Sequence, residues 1–259
     1  MSGMGSNGWR KNMKNLLKVG FGDVIRAYAE EADDFFFVEV GAYDGIKGDC
    51  THRYIREYGW RGIMVEASAR NFEKLKENYE KDDRIILENA AISDRTGTCK
   101  LYRLERDSES YGLNYSMLGS VEYGFALKLK SLPENREYNI TTEEVNCMTL
   151  DDLLRKHDVK KIDLLQIDIE GHDYAVINSI DFKTVKPNII YYESEHMRPD
   201  EHADCIRMLE ENGYTVRQTD LCNCIAVLHP ERLRPWNILK ARIKCLIRRV
   251  RERIWGGEG

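Results

Sequence analysis

No stretch of this chain reaches the roughly 18 consecutive apolar residues that would cross a bilayer as a helix. Met1 to Gly8 also lack the apolar core of a secretory signal. The expectation is a cytoplasmic chain that neither crosses a membrane nor carries a leader. No C-x-x-C pair occurs among the seven cysteines, at positions 50, 99, 147, 205, 222, 224 and 245. Their odd number and scatter argue against a disulfide framework and suit reduced thiols, with the C-x-C of Cys222 and Cys224 in a buried strand. Internal repeats are also absent. One good core is within reach of 259 residues, and 32% charged with 42% hydrophobic residues describes a globular protein.

The net charge of −5 conceals an asymmetry. Residues 231–259 hold nine Lys/Arg and three Glu, a net +6, which leaves −11 on the other 230. An acidic body does not suit nucleic acid, so any anionic partner belongs at the tail.

Strand and helix patterns alternate along the middle of the chain, which indicates an α/β fold. The expected architecture is a doubly wound sheet, mostly parallel, with an antiparallel pair at its C-terminal edge. Helices are expected over Trp9–Glu31, His52–Tyr58, Ala69–Tyr79, Thr149–His157, His172–Ser179 and Pro199–Asn212. Strands are expected over Phe35–Val40, Ile63–Glu66, Arg84–Ile92, Glu143–Cys147, Ile162–Ile167, Asn188–Tyr192, Tyr214–Gln218 and Cys224–Leu228. A hairpin turning at Asp94–Gly97 returns over Cys99–Leu104. Glu105–Asn139 has no steady period and is expected to be a lid or acceptor-binding loop. The domain division is 1–34, 35–230 and 231–259.

Phe35-Phe36-Phe37-Val38-Glu39-Val40 is an apolar run suited to a strand covered on both faces, and it enters the turn Gly41-Ala42-Tyr43-Asp44-Gly45. The spacing is E-x-G-x-x-x-G rather than the dinucleotide G-x-G-x-x-G. Acids at Glu39 and Asp44 would repel a diphosphate and suit a cationic nucleoside, a description that S-adenosylmethionine meets. Four strands end on acids, at Glu39, Glu66, Asp168 and Glu193, and in a parallel sheet these share the ligand-binding edge. Glu66 is placed to accept ribose hydroxyls, while Glu39 and Asp168 face the positive methionine end. Gly41, Ala42, Asp44, Gly45, Ala67, Asn89 and Ala90, at the same strand ends and turns, complete the cofactor-binding candidates.

V-E-V-G-A-Y-D-G, G-W-R-G-I-M-V-E-A, M-T-L-D-D-L, I-D-L-L-Q-I-D-I-E-G-H-D and I-I-Y-Y-E, in that order from Phe36 to Met197, resemble the FkbM family of S-adenosylmethionine-dependent methyltransferases. The I-D-x-E-G block is the most specific part. The resemblance implies a class I methyltransferase fold and O-methylation, mostly of sugar or natural-product hydroxyls. Glu39 stands where many members carry Asp, and His172-Asp173 where a small residue and Glu are commoner.

A sugar hydroxyl is a poor nucleophile, so a general base or metal should assist its attack. The catalytic candidates are His196, which Glu193 and Glu195 could orient, His172, and Asp168. A Mg²⁺ bridged by Asp168 and Glu193 is the metal candidate. D-I-E-G stands where amine methyltransferases often carry N-P-P-Y or D-P-P-Y. Tyr111, Asn114, Tyr115 and Tyr123 could close over a small-molecule or glycan acceptor.

Beyond Pro235, Trp236, Leu239, Ile243, Leu246, Ile247, Val250 and Ile254 share one helical face amid Lys and Arg. Such a basic amphipathic helix suits the inner face of an anionic membrane, through 236–259; docking on the acidic body or on another subunit are the alternatives. The competing functions are methylation of a natural-product or lipid hydroxyl, a non-catalytic S-adenosylmethionine-binding scaffold, and, more distantly, a nicotinamide oxidoreductase. Oligomeric state is not legible.

Overall fold

The computed structural model describes residues 20–105, 119–135 and 137–255. The chain divides into two units, Asp34–Leu228 and Met1–Asp33 together with His229–Gly259. The two terminal segments thus belong to one unit.

The larger unit begins with β1 (Phe36–Val40), β2 (Arg61–Val65) and β3 (Ile85–Glu88), paired in parallel in that order. A smaller sheet follows, built from β4 (Ala91–Ile92), β5 (Gly97–Glu105), β6 (Gly119–Ser120) and β7 (Asn139–Met148) in the order β4-β7-β5-β6. The chain then returns to the main sheet with β8 (Leu164–Ile167), β9 (Ile189–Glu193), β10 (Thr215–Gln218) and β11 (Asn223–Val227). The seven-stranded order is β10-β11-β9-β8-β1-β2-β3, with β11 antiparallel to both of its neighbours. This is the class I methyltransferase fold. The strand order reverses between β1 and β8, the switch point at which doubly wound sheets bind ligands.

The side chains of β1 explain its burial on both faces. Val38 and Val40 join a core with Ile63, Val65, Leu165, Ile167 and Ile190. Phe37, on the other face, packs near Trp60, which stacks on Phe35 at a centroid distance of 4.1 Å. Thr149 caps the helix Leu150–Lys156, its hydroxyl accepting from the Asp152 amide at 3.1 Å.

Two local expectations are corrected. The run Arg84–Ile92 breaks at Asn89-Ala90, and its halves enter different sheets. β4 and β5 do not form a hairpin, because β7 lies between them, parallel to one and antiparallel to the other. Ala91, Leu101, Val145 and Cys147 make a core of their own, which favours that insertion over a two-residue strand pairing directly. Within Glu105–Asn139, Tyr123–Ser131 is a helix with only Phe125 and Ala126 buried, too narrow a face to set up a period. Tyr111, Asn114 and Tyr115 lie outside the described residues.

In the terminal unit, the helix Phe21–Ala29 buries Val24, Ile25, Ala27, Tyr28 and Ala29. The expected start of this helix, residues 9–19, lies outside the described residues. The Tyr28 hydroxyl donates to the His229 carbonyl at 2.9 Å and accepts from its amide at 3.2 Å. A 21-residue helix, Pro235–Trp255, follows. No helix among the described residues is long and apolar enough to cross a membrane.

Candidate functional site

A cavity of about 210 Å³ opens at the carboxyl ends of β1, β2 and β8, and five side-chain carboxylates line it. Its floor depends on Gly41. The backbone there has φ +90°, and a Cβ would lie 1.9 Å from the Asp168 carbonyl oxygen. Only glycine lets β1 and β8 approach so closely.

Glu39 is fully buried on this floor. Its carboxylate accepts the Thr51 hydroxyl at 2.9 Å and the Gln166 amide at 3.3 Å. The same Thr51 hydroxyl lies 2.7 Å from Asp49 Oδ1, which also accepts the Thr51 amide at 2.6 Å. One hydroxyl proton cannot serve two carboxylates at once. Burial, and then Asp49, push Glu39 well above the usual carboxylate range; burial also raises Asp49. The pair needs a proton or a cation.

Glu66 forms the opposite wall. It accepts the amides of Tyr43 at 2.9 Å and Ser68 at 2.8 Å. Burial outweighs these bonds and pushes it up to about 7. Asn89 braces the loop behind it, donating to the carbonyls of Glu66 at 2.8 Å and Ala67 at 3.2 Å. A cationic end near Glu39 and Asp49, with hydroxyls near Glu66, fits the donor set to S-adenosylmethionine.

The other cofactor candidates divide. Gly41, Ala42 and Ala67 line the cavity. Asp44, Gly45 and Ala90 do not. Asp44 turns inward to accept the amides of Ile46 at 2.9 Å and Lys47 at 2.7 Å, which closes the loop on itself. Gly45 faces Tyr79, Leu75 and Met64, and Ala90 is buried.

Asp168 and Glu170 line the far side. The carboxyl of Asp168 is open to the cavity, yet the protein around it, and then Glu170, push it up to about 6. Glu170 takes a left-handed backbone (φ 58°) and Gly171 follows at φ 97°. A Cβ at Gly171 would meet His196 Cβ at an ordinary 3.4 Å, so it is the positive φ that calls for glycine there.

Across this turn lies a second cavity of about 440 Å³, whose lining includes Glu122, Phe125, Lys128, His172, His196 and Arg198. His196 Nε2 lies 3.4 Å from Glu170 and 3.7 Å from Glu193, and Nδ1 lies 3.4 Å from Lys128 Nζ. The Phe125 ring meets His196 edge-on at 4.8 Å. His172 has both ring nitrogens engaged within the protein, at 2.7 Å from Glu122 and 3.0 Å from the Ser93 hydroxyl. That leaves neither nitrogen for a substrate proton.

The expected metal pair shares Glu193 with a cluster of possible ligands. Among the described residues, Glu170, Glu193 and His196 form a group with ligand atoms within 4.8 Å of one another, and Asp168 is not in it. Burial, followed by Asp168, Glu170 and Asp173, pushes Glu193 up to about 10.

Sequence reasoning missed Asp49, Thr51, Gln166 and Glu170. Gln166 carried the clearest signal, as a polar residue in an otherwise apolar buried strand. Asp49, followed two residues later by Thr, has the spacing of a side-chain-to-amide turn.

Several solved methyltransferases align with the chain at low identity. A methyltransferase FkbM from Methylobacillus flagellatus KT aligns with a TM-score of 0.46 and 14% identity, over 75% of this chain and 44% of that one. This chain therefore spans less than half of that structure's length. A precorrin-6y C5,15-methyltransferase from Geobacter metallireducens gives 0.37 and 11%, over 79% and 87%. The N-terminal domain of human METTL16 in complex with SAH gives 0.39 and 11%, over 77% and 64%. No curated protein matches the chain. A family model, the methyltransferase FkbM domain, matches residues 39–216, from the buried acid of β1 into β10. That span holds Glu39, Asp49, Glu66, Asp168 and His196, and the chain belongs to the FkbM methyltransferase domain family.

Proposed function

We propose that the chain is an S-adenosylmethionine-dependent O-methyltransferase whose acceptor is a saccharide hydroxyl. The observation that carries this reading is the meeting of two cavities at the Asp168–Gly171 turn, one lined by acids and one by mixed polar groups and rings. Glu39, Asp49 and Glu66 would hold the cofactor, and when bound it supplies an electrophilic methyl group.

The chain's own residues do the rest. Glu39 and Asp49 offer a cation the charge they cannot share through one Thr51 proton. Glu66 receives hydroxyls while its two backbone bonds fix its direction. In the second cavity, Lys128 and Arg198 donate and Glu122 and Glu201 accept, which suits an acceptor with many hydroxyls. Phe125 and Tyr174 supply ring surface for sugar faces. Asp168 is the favoured proton acceptor, since it alone of the three catalytic candidates lines the donor cavity. A carboxyl with a pKa of about 6 is ionised at neutral pH and can take the hydroxyl proton as the new bond forms. His196 would orient the acceptor from the opposite wall.

Isothermal titration with S-adenosylmethionine and S-adenosylhomocysteine tests the first half, with NADH as the negative control. Micromolar binding of both, lost in Glu66→Ala, is expected; binding of neither would remove the reading. Radiolabelled methyl transfer to a glycan panel tests the second half. Turnover that survives both Asp168→Asn and His196→Ala would remove their assigned roles, and cofactor binding without turnover on any hydroxyl would favour a scaffold.

A further inference from the structure

The helix Pro235–Trp255 has two apolar sides, and its own unit covers the smaller one. Ile238, Ala241 and Cys245 are buried. Arg242 bonds Asp23 at 2.6 and 2.8 Å, Arg248 bonds Glu30, and Lys244 approaches Glu30 at 3.9 Å. With 3.6 residues per turn, these three buried residues share one side of the helix. Trp236, Leu239, Ile243, Leu246 and Ile247 fall on the opposite side, and they are 62%, 47%, 48%, 62% and 47% exposed. A surface helix normally turns its larger apolar stripe inward. Here three basic side chains hold the helix by its narrow side, and the large stripe faces out.

We propose that this stripe seats the helix in the plane of an anionic bilayer. Charge selects the occupant. The segment 231–259 carries a net +6, so pairing with the same helix of a second copy would set like charges together. An anionic lipid surface instead gains from every flanking cation. Lys240 lies 5.5 Å over the Trp236 ring, keeping a cation beside the largest exposed apolar group. Trp236 and Trp255 bracket the helix, and Trp favours the headgroup boundary. A helix of 21 residues extends about 31 Å, which gives the stripe several turns of contact. Val250 and Ile254, expected on the same face, have side chains outside the described residues. The proposal rests on this helix and does not depend on the methyltransferase reading.

Flotation of the full-length protein with phosphatidylcholine vesicles, with and without phosphatidylglycerol, tests it. Binding is expected only to the anionic vesicles, weakening as salt rises. The double variant Leu239→Glu, Leu246→Glu should lose about tenfold or more, because two charges enter the apolar contact. Both positions are exposed, so its melting temperature and S-adenosylmethionine affinity should match the parent's. As a second readout without substitution, Trp emission should shift to the blue on adding anionic vesicles. No binding to anionic vesicles, or equal binding by the double variant, would overturn the proposal. So would a concentration-dependent dimer in sedimentation that the double variant dissolves while vesicles bind neither form.

Discussion

The two walls that meet at the Asp168–Gly171 turn are built differently. On the donor side, Glu39 and Glu66 project from strand ends, are buried, and are held at 2.8–3.3 Å by amides and side chains. On the acceptor side, His196, Lys128 and Arg198 come from loops and a short helix, and the contacts of His196 run from 3.4 to 3.7 Å. A strand end inside a parallel sheet can be fixed before any ligand arrives. Side chains on loops and helix faces adapt to what they bind. Under the proposed function, the difference would put the shared step, cofactor binding, on the rigid wall and acceptor choice on the other.

Substitutions should separate the walls, and the largest effect belongs where they meet. Asp168→Asn keeps the shape but removes the proton acceptor, so kcat should fall by about 10²–10⁴. S-adenosylmethionine affinity should change little. His196→Ala should raise the acceptor KM more than it lowers kcat. In the parent, kcat should rise with pH through about 6 as Asp168 ionises.

On the rigid wall, Glu66→Ala should weaken S-adenosylmethionine binding about 100-fold, the loss expected for charge-assisted bonds to two hydroxyls. Burial pushes Glu66 up to about 7, and hydroxyls donate best to its ionised form. Affinity in the parent should therefore fall as pH drops below 7, with proton release on binding. Titration in buffers of different ionisation enthalpy would reveal that release. Unchanged affinity from pH 8 to pH 6 would mean that Glu66 does not receive the ribose.

Gly41→Ala should damage the donor wall without touching its acids. The new Cβ would lie 1.9 Å from a backbone oxygen that has no rotamer to move. A loss of about 2–3 kcal/mol in stability is expected, readable as a lower denaturant midpoint. A variant as stable as the parent would mean that β1 and β8 can separate freely, and that the wall is not rigid.

The donor wall was legible because strand-end acids and turn glycines recur at fixed spacings, and spacing is what a sequence displays. Glu39, Gly41, Glu66 and Asp168 were all found that way, and the parallel sheet followed from the apolar runs. The spacing misled at Asp44, which bonds its own loop, since Asx turns and ligand-facing acids share one sequence pattern. The acceptor wall was legible only in part. Phe125, Lys128 and Arg198 converge on His196 from segments far apart in sequence, and no local pattern announces such a meeting. The insertion of β7 between β4 and β5 was hidden for the same reason: the turn at Asp94–Gly97 marks a reversal but not the strand that enters it.

The smallest effect tests whether the acceptor wall carries the cost of its crowded acids. Glu193 is pushed up to about 10 by burial and then by Asp168, Glu170, Asp173 and Glu195. In an unfolded chain a Glu titrates near 4.3. Between those values the folded protein holds a proton that the unfolded chain has released. Stability from this group is therefore complete below about pH 4 and declines as pH rises toward 10. Glu193→Gln cannot titrate, and it keeps the size and a hydrogen-bond donor of the neutral acid. The fall in melting temperature between about pH 5 and about pH 9 should be smaller in the variant, by an amount on the order of 1–3 kcal/mol in stability. Parallel profiles for parent and variant would mean that Glu193 is ionised in the folded protein, with its charge balanced by His196 or a bound cation. The acceptor wall would then be as firmly fixed by charge as the donor wall is by backbone bonds.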